Sequence, residues 1–374
     1  MVTVYSNPTQ RIIENGCFLK IADLIQYFCP KTILLVLGQK SFRESARYRK
    51  LEAILTPYRV IDSMPVPSNP RQDFIQEEIN RYRKQSFDLV LAIGGGSVID
   101  VAKIYASVPR QEQTDLHHYL NGNFEIKIKP VPVIAIPTTA GTGSEVTPYA
   151  SLETKDKKKV TLSHPSFYPT IALVDPELCY SMPDYVSAST GFDALSQAIE
   201  SYWSVNATPF SETHALRALE FILPHFKTVL KEPSNAEARF AMSFGSCEGG
   251  LAIAQTKTTA VHSVSYPITT HFGVAHGHAC ALTLAPFVRF NTPVLKQKGK
   301  PLLARFAAEN YEEMALKIEK LMKVVKLERS LSKLGIDEDG RELIIRDGFR
   351  PDRIKNNPRP VAADDLRKIL LTIR

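Results

Sequence analysis

Four of the nine histidines, His262, His271, His276 and His278, fall within one stretch from Lys257 to Leu284 whose other residues are mostly apolar or small. Neutral imidazole is the commonest protein ligand for a divalent metal, and apolar surroundings make such an ion bind tightly. A lone histidine is more often a core or surface residue, and this spacing matches neither a zinc finger nor an HExxH helix. The stretch therefore needs a partner from elsewhere in the chain. Asp193 is suited to that part: it stands between Phe192 and Ala194-Leu195, where an unpaired carboxylate would be costly and a cation is implied. Gln197 lies four residues on and shares its helical face, with Glu200 about one turn further. Asp193 with His262 and His276 would offer one oxygen and two nitrogens, leaving positions open as a catalytic rather than structural metal requires.

Two loops have the composition of phosphate cradles. Gly94-Gly95-Gly96-Ser97 follows the apolar run Leu89–Gly94 and opens a helix-like segment with Asp100 and Lys103. Bare backbone N–H groups at a helix N-terminus favour phosphate oxygens. The loop is neither GxGxxG nor Walker A, and a purely structural turn is the alternative; the strand–turn–helix setting favours phosphate. Pro137–Glu145 follows the next strong strand and carries the hydroxyls of Thr138, Thr139, Thr142 and Ser144. Two such loops at neighbouring strand ends point to a dinucleotide pyrophosphate lying across both. The run TILLVLG ends at Gly38 and is followed by Gln39, Lys40 and Ser41. An acidic residue there would hold the ribose hydroxyls of NAD and repel a 2′-phosphate; Lys40 and Ser41 suit the phosphate instead, which favours NADPH over NADH.

The elements that must position these residues divide the chain near residue 180. Residues 1–180 alternate buried strands (Thr32–Gly38, Leu89–Gly94, Val131–Pro137, Ile171–Asp175) with helical segments such as Gln72–Gln85 and Val98–Ala106. This is the signature of a parallel sheet covered on both faces, with ligands at the C-terminal strand ends. Residues 181–374 read as all-helical, from Ser187–Val205, Ser211–Leu223 and Ala236–Gln255 onward. Gly340–Pro360 reads as an irregular loop before a last helix over Ala363–Ile373, capped by Asp364 or Asp365. Two domains are expected at 374 residues. The five scattered cysteines lack CxxC spacing, and neither a signal peptide nor a membrane span is visible, which fits a reduced, cytoplasmic protein. The net charge of +7 comes from basic residues mixed with acids along the chain, so solvated helix faces rather than nucleic acid account for it.

The set GGGSVIDVAK, IPTTAGTGSE, LVDPEL, GFDALSQAIES and HGHA, in this order from about Gly16 to Asn356–Pro360, resembles the iron-containing (group III) alcohol dehydrogenase family. The resemblance implies a dehydroquinate synthase-like fold: a Rossmann-like N-terminal domain, a helical C-terminal domain and an active-site cleft between them. It also implies NADH or NADPH, a divalent metal and a homodimer. By motif position, Gly95, Gly96, Ser97 and Asp100 would hold the pyrophosphate and nicotinamide side. Thr138, Thr139, Thr142 and Ser144 would extend that contact, and Lys159 would reach the ribose. The family supplies Asp, His, His and His to the metal; Asp193, His262 and His276 fall on three of those positions and Gln197 on the fourth. Either Gln197 coordinates through its carbonyl or three protein ligands remain with more water, which softens the preference for Fe2+ and admits Zn2+. Tyr266 stands where the family has another histidine.

A narrower resemblance, carried by SQAIESYWS, Lys257-Thr258-Thr259 and SYPIT followed by HGHA, is to the phosphonoacetaldehyde reductase (hydroxyethylphosphonate dehydrogenase) branch. A phosphonate bears up to two negative charges, and Lys257 with Thr258, just ahead of His262, is suited to cradle it; the alternative is a solvated helix-end lysine. His278 could add a donor, and water, His271, His278 or Tyr266 could supply the proton. The expected activity is NAD(P)H-dependent reduction of phosphonoacetaldehyde to 2-hydroxyethylphosphonate. The alternatives are a dehydrogenase for another small alcohol or aldehyde, a metal-dependent lyase or cyclase of dehydroquinate synthase type, and a non-catalytic nucleotide-binding module.

Overall fold

The computed structural model describes residues 5–120, 122 and 124–374. Eight strands form: β1 (Gln10–Ile13), β2 (Thr32–Leu37), β3 (Arg59–Asp62), β4 (Leu89–Gly94), β5 (Val133–Pro137), β6 (Tyr149–Glu153), β7 (Lys159–Ser163) and β8 (Ile171–Val174). Six of them make one parallel sheet in the order β1-β8-β5-β4-β2-β3, and β6 and β7 pair as an antiparallel hairpin. Between them run α1 (Ile21–Phe28), α2 (Ala46–Leu55), α3 (Gln72–Tyr82), α4 (Gly96–Ser107) and the single turn α5 (Leu116–Tyr119). Every residue of β2, β4 and β5 is buried, because the sheet has a core on each face. Leu34, Val36, Val90 and Ala92 pack with Ile75, Ile79 and Val101 on one side. Ile33, Leu35, Leu89 and Leu91 pack with Ile21, Ile25 and Leu51 on the other. Two buried faces explain why these strands read as continuous apolar runs rather than alternating ones. The edge strands β1 and β3 and the hairpin were not apparent in the sequence, being short and half-exposed.

The helical part comprises α6 (Asp184–Trp203), α7 (Pro209–His225), α8 (Thr228–Lys231), α9 (Ala236–Thr256), α10 (Ala260–Phe272), α11 (His276–Leu295), α12 (Lys300–Arg305), α13 (Tyr311–Val324), α14 (Glu338–Asp347), α15 (Pro351–Ile354) and α16 (Ala363–Leu371). By contacts the chain divides into Ser6–Thr139 with Ser144–Cys179, and Tyr180–Arg374 with Tyr5 and Ala140–Gly143. The middle of α6 is buried almost throughout, since α7, α9 and α11 pack around it. No helix among the described residues is long and apolar enough to cross a membrane.

Two sequence expectations are corrected. Gly340–Pro360 is not one irregular loop, for α14 and α15 occupy much of it. The Asp337 carboxylate accepts from Gly340 N–H, Glu338 and Asp339 complement the helix dipole, and Ile344 and Ile345 face inward. The last helix ends at Leu371 with Ala362 as its N-cap; Asp365 acts from inside the first turn by accepting from Ala362 N–H.

Candidate active site

Asp193, His262, His276 and Cys280 bring four potential ligand atoms within 4.8 Å of one another. Asp193 comes from the middle of α6, His262 from the first turn of α10, and His276 and Cys280 from successive turns of α11. Asp193 Oδ1 is 3.2 Å from His262 Nε2 and 3.9 Å from His276 Nε2. The N-terminus of α11 reaches α6 because residue 277 is glycine: a Cβ there would stand 1.9 Å from the Ser189 carbonyl oxygen and 2.9 Å from Asp193 Cβ. Asp193 and His262 are buried. Burial works against a charged His262, yet Cys280, Glu200 and Asp193 hold its pKa well above the usual value. The Cys280 thiol is pushed up by burial, with His262 pulling the other way.

This donor set fits a divalent cation. Gln197 adds a further sign: its amide N–H donates to the Thr142 carbonyl at 3.3 Å, while its buried Oε1 has no hydrogen-bond partner among the described residues. A carbonyl oxygen in that state loses the stabilisation of a partner unless a cation supplies it. Thr142 reaches Gln197 because the Ala140–Gly143 segment packs on the helices. Gly143 is left-handed (φ +60), and a Cβ on it would lie 2.4 Å from Gly250 Cα.

Glu200, seven residues after Asp193 on α6, does what the sequence did not reveal. One carboxylate oxygen takes the hydrogen bond of His262 Nδ1. The other accepts from Thr259 N–H (3.0 Å), Thr259 Oγ1 (2.6 Å), Val261 N–H (2.9 Å) and His262 N–H (3.3 Å). Glu200 therefore caps α10 from another helix and turns the His262 ring so that Nε2 faces Asp193. Cys280 was likewise not singled out from the sequence; its signal is its place four residues after His276, on the same face of α11.

The remaining histidines are placed elsewhere. His271 Nε2 pairs with Asp347 at 2.9 Å. His278 is buried, with one ring nitrogen on Tyr185 Oη (3.1 Å) and the other on the Glu328 carbonyl (2.7 Å), and burial lowers its pKa. Tyr266 does join the cluster's surroundings, its ring stacked on that of His276 at 5.6 Å between centroids. Lys257 ends α9 with φ 58, half-buried rather than solvated. Buried Thr258 beside it offers its carbonyl to Asn356 Nδ2 at 3.0 Å.

In the α/β unit, Gly95 is the N-cap of α4, and Gly95, Gly96 and Ser97 are partly exposed at the end of β4. Thr138 N–H donates to the Gly94 carbonyl at 2.9 Å, tying the second loop to the first, and Thr138 and Thr139 are also partly exposed. Asp100 and Ser144 are engaged with each other. Ser144 Oγ donates to Asp100 Oδ1, Ser151 N–H donates to Asp100 Oδ2 at 2.8 Å, and the buried Lys103 ammonium donates to Ser144 Oγ at 2.8 Å and to the Tyr149 carbonyl at 2.7 Å. Lys159 opens β7 opposite Glu153. Gly38 follows β2 and bridges to Val66, with Lys40 and Ser41 exposed just beyond.

Beside this network, burial raises the Glu145 carboxyl to about 7, against its own N–H and Lys103. The unfolded chain ionises this group near 4.5, so stability falls as pH rises from there to about 7 and is flat in this term outside that window. The loss is of order 3 kcal/mol. Glu145→Gln is expected to flatten this slope, read as Tm against pH; an unchanged slope would refute a neutral buried carboxyl.

Glycine-led strand ends on a parallel sheet suit a dinucleotide, and a buried carboxylate–imidazole cluster suits a divalent metal. Comparison with known proteins agrees. The profile of iron-containing alcohol dehydrogenases matches residues 8–176, and that of the C-terminal part of the Fe-containing alcohol dehydrogenase family matches residues 187–373. A long-chain-alcohol dehydrogenase of Geobacillus thermodenitrificans is 33% identical over 299 residues, 77% of this chain and 75% of that protein. A phosphonoacetaldehyde reductase of Streptomyces viridochromogenes is 35% identical over 234 residues, 61% and 59% of the two chains. The crystal structure of a sulfoacetaldehyde reductase from Bifidobacterium kashiwanohense in complex with NAD+ superposes with a TM-score of 0.93 at 31% identity, covering 100% of this chain and 99% of that one. The chain belongs to the iron-containing alcohol dehydrogenase family. It is an oxidoreductase that works with a nicotinamide dinucleotide and a divalent metal.

Proposed function

We propose that this dehydrogenase reduces phosphonoacetaldehyde to 2-hydroxyethylphosphonate, with NADPH preferred over NADH through Lys40 and Ser41. The observation that carries the reading is the charge around Lys257. Burial, and then repulsion by Arg353 and Lys355, hold its pKa below the usual lysine value, with Asp352 alone among the named causes opposing them. Positive charge gathered at Lys257 favours an anionic ligand group, and a phosphonate dianion most. The two relatives named for a phosphono- and a sulfo-substituted acetaldehyde support a small anionic aldehyde over a long-chain alcohol.

When bound, the divalent ion supplies Lewis-acid polarisation of the aldehyde oxygen, and the reduced nicotinamide supplies the hydride. Asp193, His262 and His276 would hold the ion, with Gln197 Oε1 and Cys280 as further donors; the neutral amide and the soft sulfur make Zn2+ as suitable as Fe2+. Gly95, Gly96, Ser97, Thr138 and Thr139 would hold the cofactor phosphates, while Asp100, Lys103 and Ser144 keep those loops in register. Lys257 and Thr258 bind and orient the phosphonate. Of the side chains weighed as proton carriers, Tyr266 is the one stacked on a cluster residue, and His271 and His278 are committed to other partners. A homodimer in the cytoplasm completes the proposal.

Steady-state oxidation of NADPH, with NADH run alongside, tests it. Phosphonoacetaldehyde is expected to exceed propanal in kcat/KM by about 100-fold, the worth of two charge-assisted hydrogen bonds. Equal values would discard the phosphonate reading and leave the family untouched. Lys257→Ala is expected to raise KM for the phosphonate by roughly 10- to 100-fold, well beyond any change for propanal.

A further inference from the structure

The loop after β5 makes two kinds of contact in quick succession. At its start Thr138 N–H is bound to the Gly94 carbonyl, and Thr139 faces Gly95, where an added Cβ would stand 3.6 Å from Thr139 Oγ1. At its far end Ser144 joins Asp100 and Lys103. These residues frame the glycine-led turn that would hold the cofactor phosphates. The middle of the loop is seated on helices instead. A Cβ on Gly141 would stand 2.6 Å from Thr190 Cβ, and Gly143 meets Gly250 of α9 just as closely. Ala140, Gly141 and Gly143 are buried, while Thr138, Thr139 and Thr142 keep partial exposure. Gln197 of α6 closes the seat, its Nε2 donating to the Thr142 carbonyl at 3.3 Å.

The two ends of the Gln197 amide therefore differ in what they meet. The side chain is buried one turn along α6 from Asp193. Nε2 holds the loop, whereas Oε1 has no hydrogen-bond partner among the described residues. A tether needed only for packing would leave that carbonyl buried with nothing to replace its water. Conjugation links the two ends: an amide whose oxygen is drawn on by a cation becomes a stronger N–H donor. We propose that Gln197 is a positioning residue that couples metal binding to dinucleotide binding. Its Oε1 adds to the donors of the ion, and its N–H then grips the Thr142 carbonyl more firmly, fixing Thr138 and Thr139 for the cofactor phosphates. The proposal rests on the placements of the ion and the phosphates given above, and not on the substrate. Such coupling is reciprocal, so the dinucleotide tightens the ion by the same factor.

The test uses the full chain, dialysed free of metal and then titrated. NADPH affinity is read by fluorescence with and without saturating Zn2+, and Zn2+ affinity by competition with a chelating indicator, with and without NADPH. Each affinity is expected to rise by roughly 5- to 10-fold when the other ligand is present, the scale of one strengthened hydrogen bond. Gln197→Glu keeps an oxygen for the ion and has no N–H, so Zn2+ binding is expected to persist while the coupling disappears. Gly143→Ala disturbs the same contact from the loop side by crowding Gly250. It is expected to leave Zn2+ affinity in the absence of NADPH unchanged and again to remove the coupling. Direct attraction between the ion and the phosphates would survive Gly143→Ala, which alters no charge, so coupling retained in that variant overturns the proposal. Coupling retained in Gln197→Glu overturns it too, as does equal NADPH affinity with and without Zn2+ in the unaltered chain. If Gln197→Glu loses Zn2+, Gly143→Ala decides alone. A chain that fails to bind Zn2+ or NADPH removes the placements as well, whereas binding of both without coupling removes only the role of Gln197.

Discussion

Asp193→Asn is expected to leave the dialysed protein nearly free of divalent metal and to lower kcat/KM for aldehyde reduction by about 1,000-fold or more, the scale of losing Lewis-acid stabilisation of a developing alkoxide. Asp193 is the carboxylate that faces both imidazoles of the cluster, at 3.2 and 3.9 Å. Asparagine has nearly the same volume and keeps an oxygen, so the packing of α6 against Gly277 is preserved while the negative charge is lost. Metal content by elemental analysis reads the first effect directly and independently of turnover. Nucleotide binding, carried by loops of the α/β unit, is expected to survive and can be followed by NADPH fluorescence. A rival account holds that Asp193 simply balances a protonated His262 in the core. That account predicts a lower Tm with unchanged metal content, and this outcome would sink the metal assignment.

Much of this arrangement was legible in the sequence, and the rest was hidden for definite reasons. The strands β2, β4 and β5 could be read because helices cover both sheet faces and leave uninterrupted apolar runs. The strands β1 and β3 have exposed edges and too few residues to show a period. Helix α14 was concealed by the Asp, Arg and Gly around it, though its inward pair Ile344-Ile345 and the capping Asp337 are sufficient in the folded chain. At the cluster, Asp193 betrayed itself as a carboxylate among apolar neighbours, and His262 and His276 by their density. Four histidines of similar appearance were nevertheless sorted by partners far away in the chain: Asp347 draws off His271, and Tyr185 with Glu328 draws off His278. Cys280 reads as an ordinary core residue in a run of alanine and leucine. Its sulfur belongs to the cluster only because α11 starts at His276 and sets both residues on one face. For Lys257 the residues alone leave a solvated helix end and an anion contact even, the narrower resemblance favours the anion contact, and the charges that act on it, Arg353, Asp352 and Lys355, lie almost a hundred residues away.

Glu200→Gln is expected to weaken metal binding by about 10- to 100-fold, the usual cost of losing a group that orients a metal-bound histidine, and to be rescued in activity by excess metal. The argument rests on what Glu200 holds. Its carboxylate engages Nδ1, so that with an ion bound Nε2 would be the ligating nitrogen beside Asp193. Its other oxygen collects the N–H groups that open α10, a helix whose N-cap Thr259 makes no side-chain capping bond of its own. Glutamine can still accept those N–H groups through its carbonyl, but it brings no charge to the helix dipole or to the imidazole. The capping role and the metal role can therefore be separated. Glu200→Gln should lower Tm modestly while raising the metal dissociation constant, whereas Glu200→Ala strands several buried donors at about 1–3 kcal/mol each and should lower Tm sharply. If Glu200→Gln keeps the metal dissociation constant and loses only Tm, Glu200 is a cap for α10 and nothing more. If it loses metal affinity at nearly constant Tm, the carboxylate acts on the metal through His262, and the seven-residue spacing from Asp193 on one helix face is what allows α6 to supply both a ligand and the group that aims its partner.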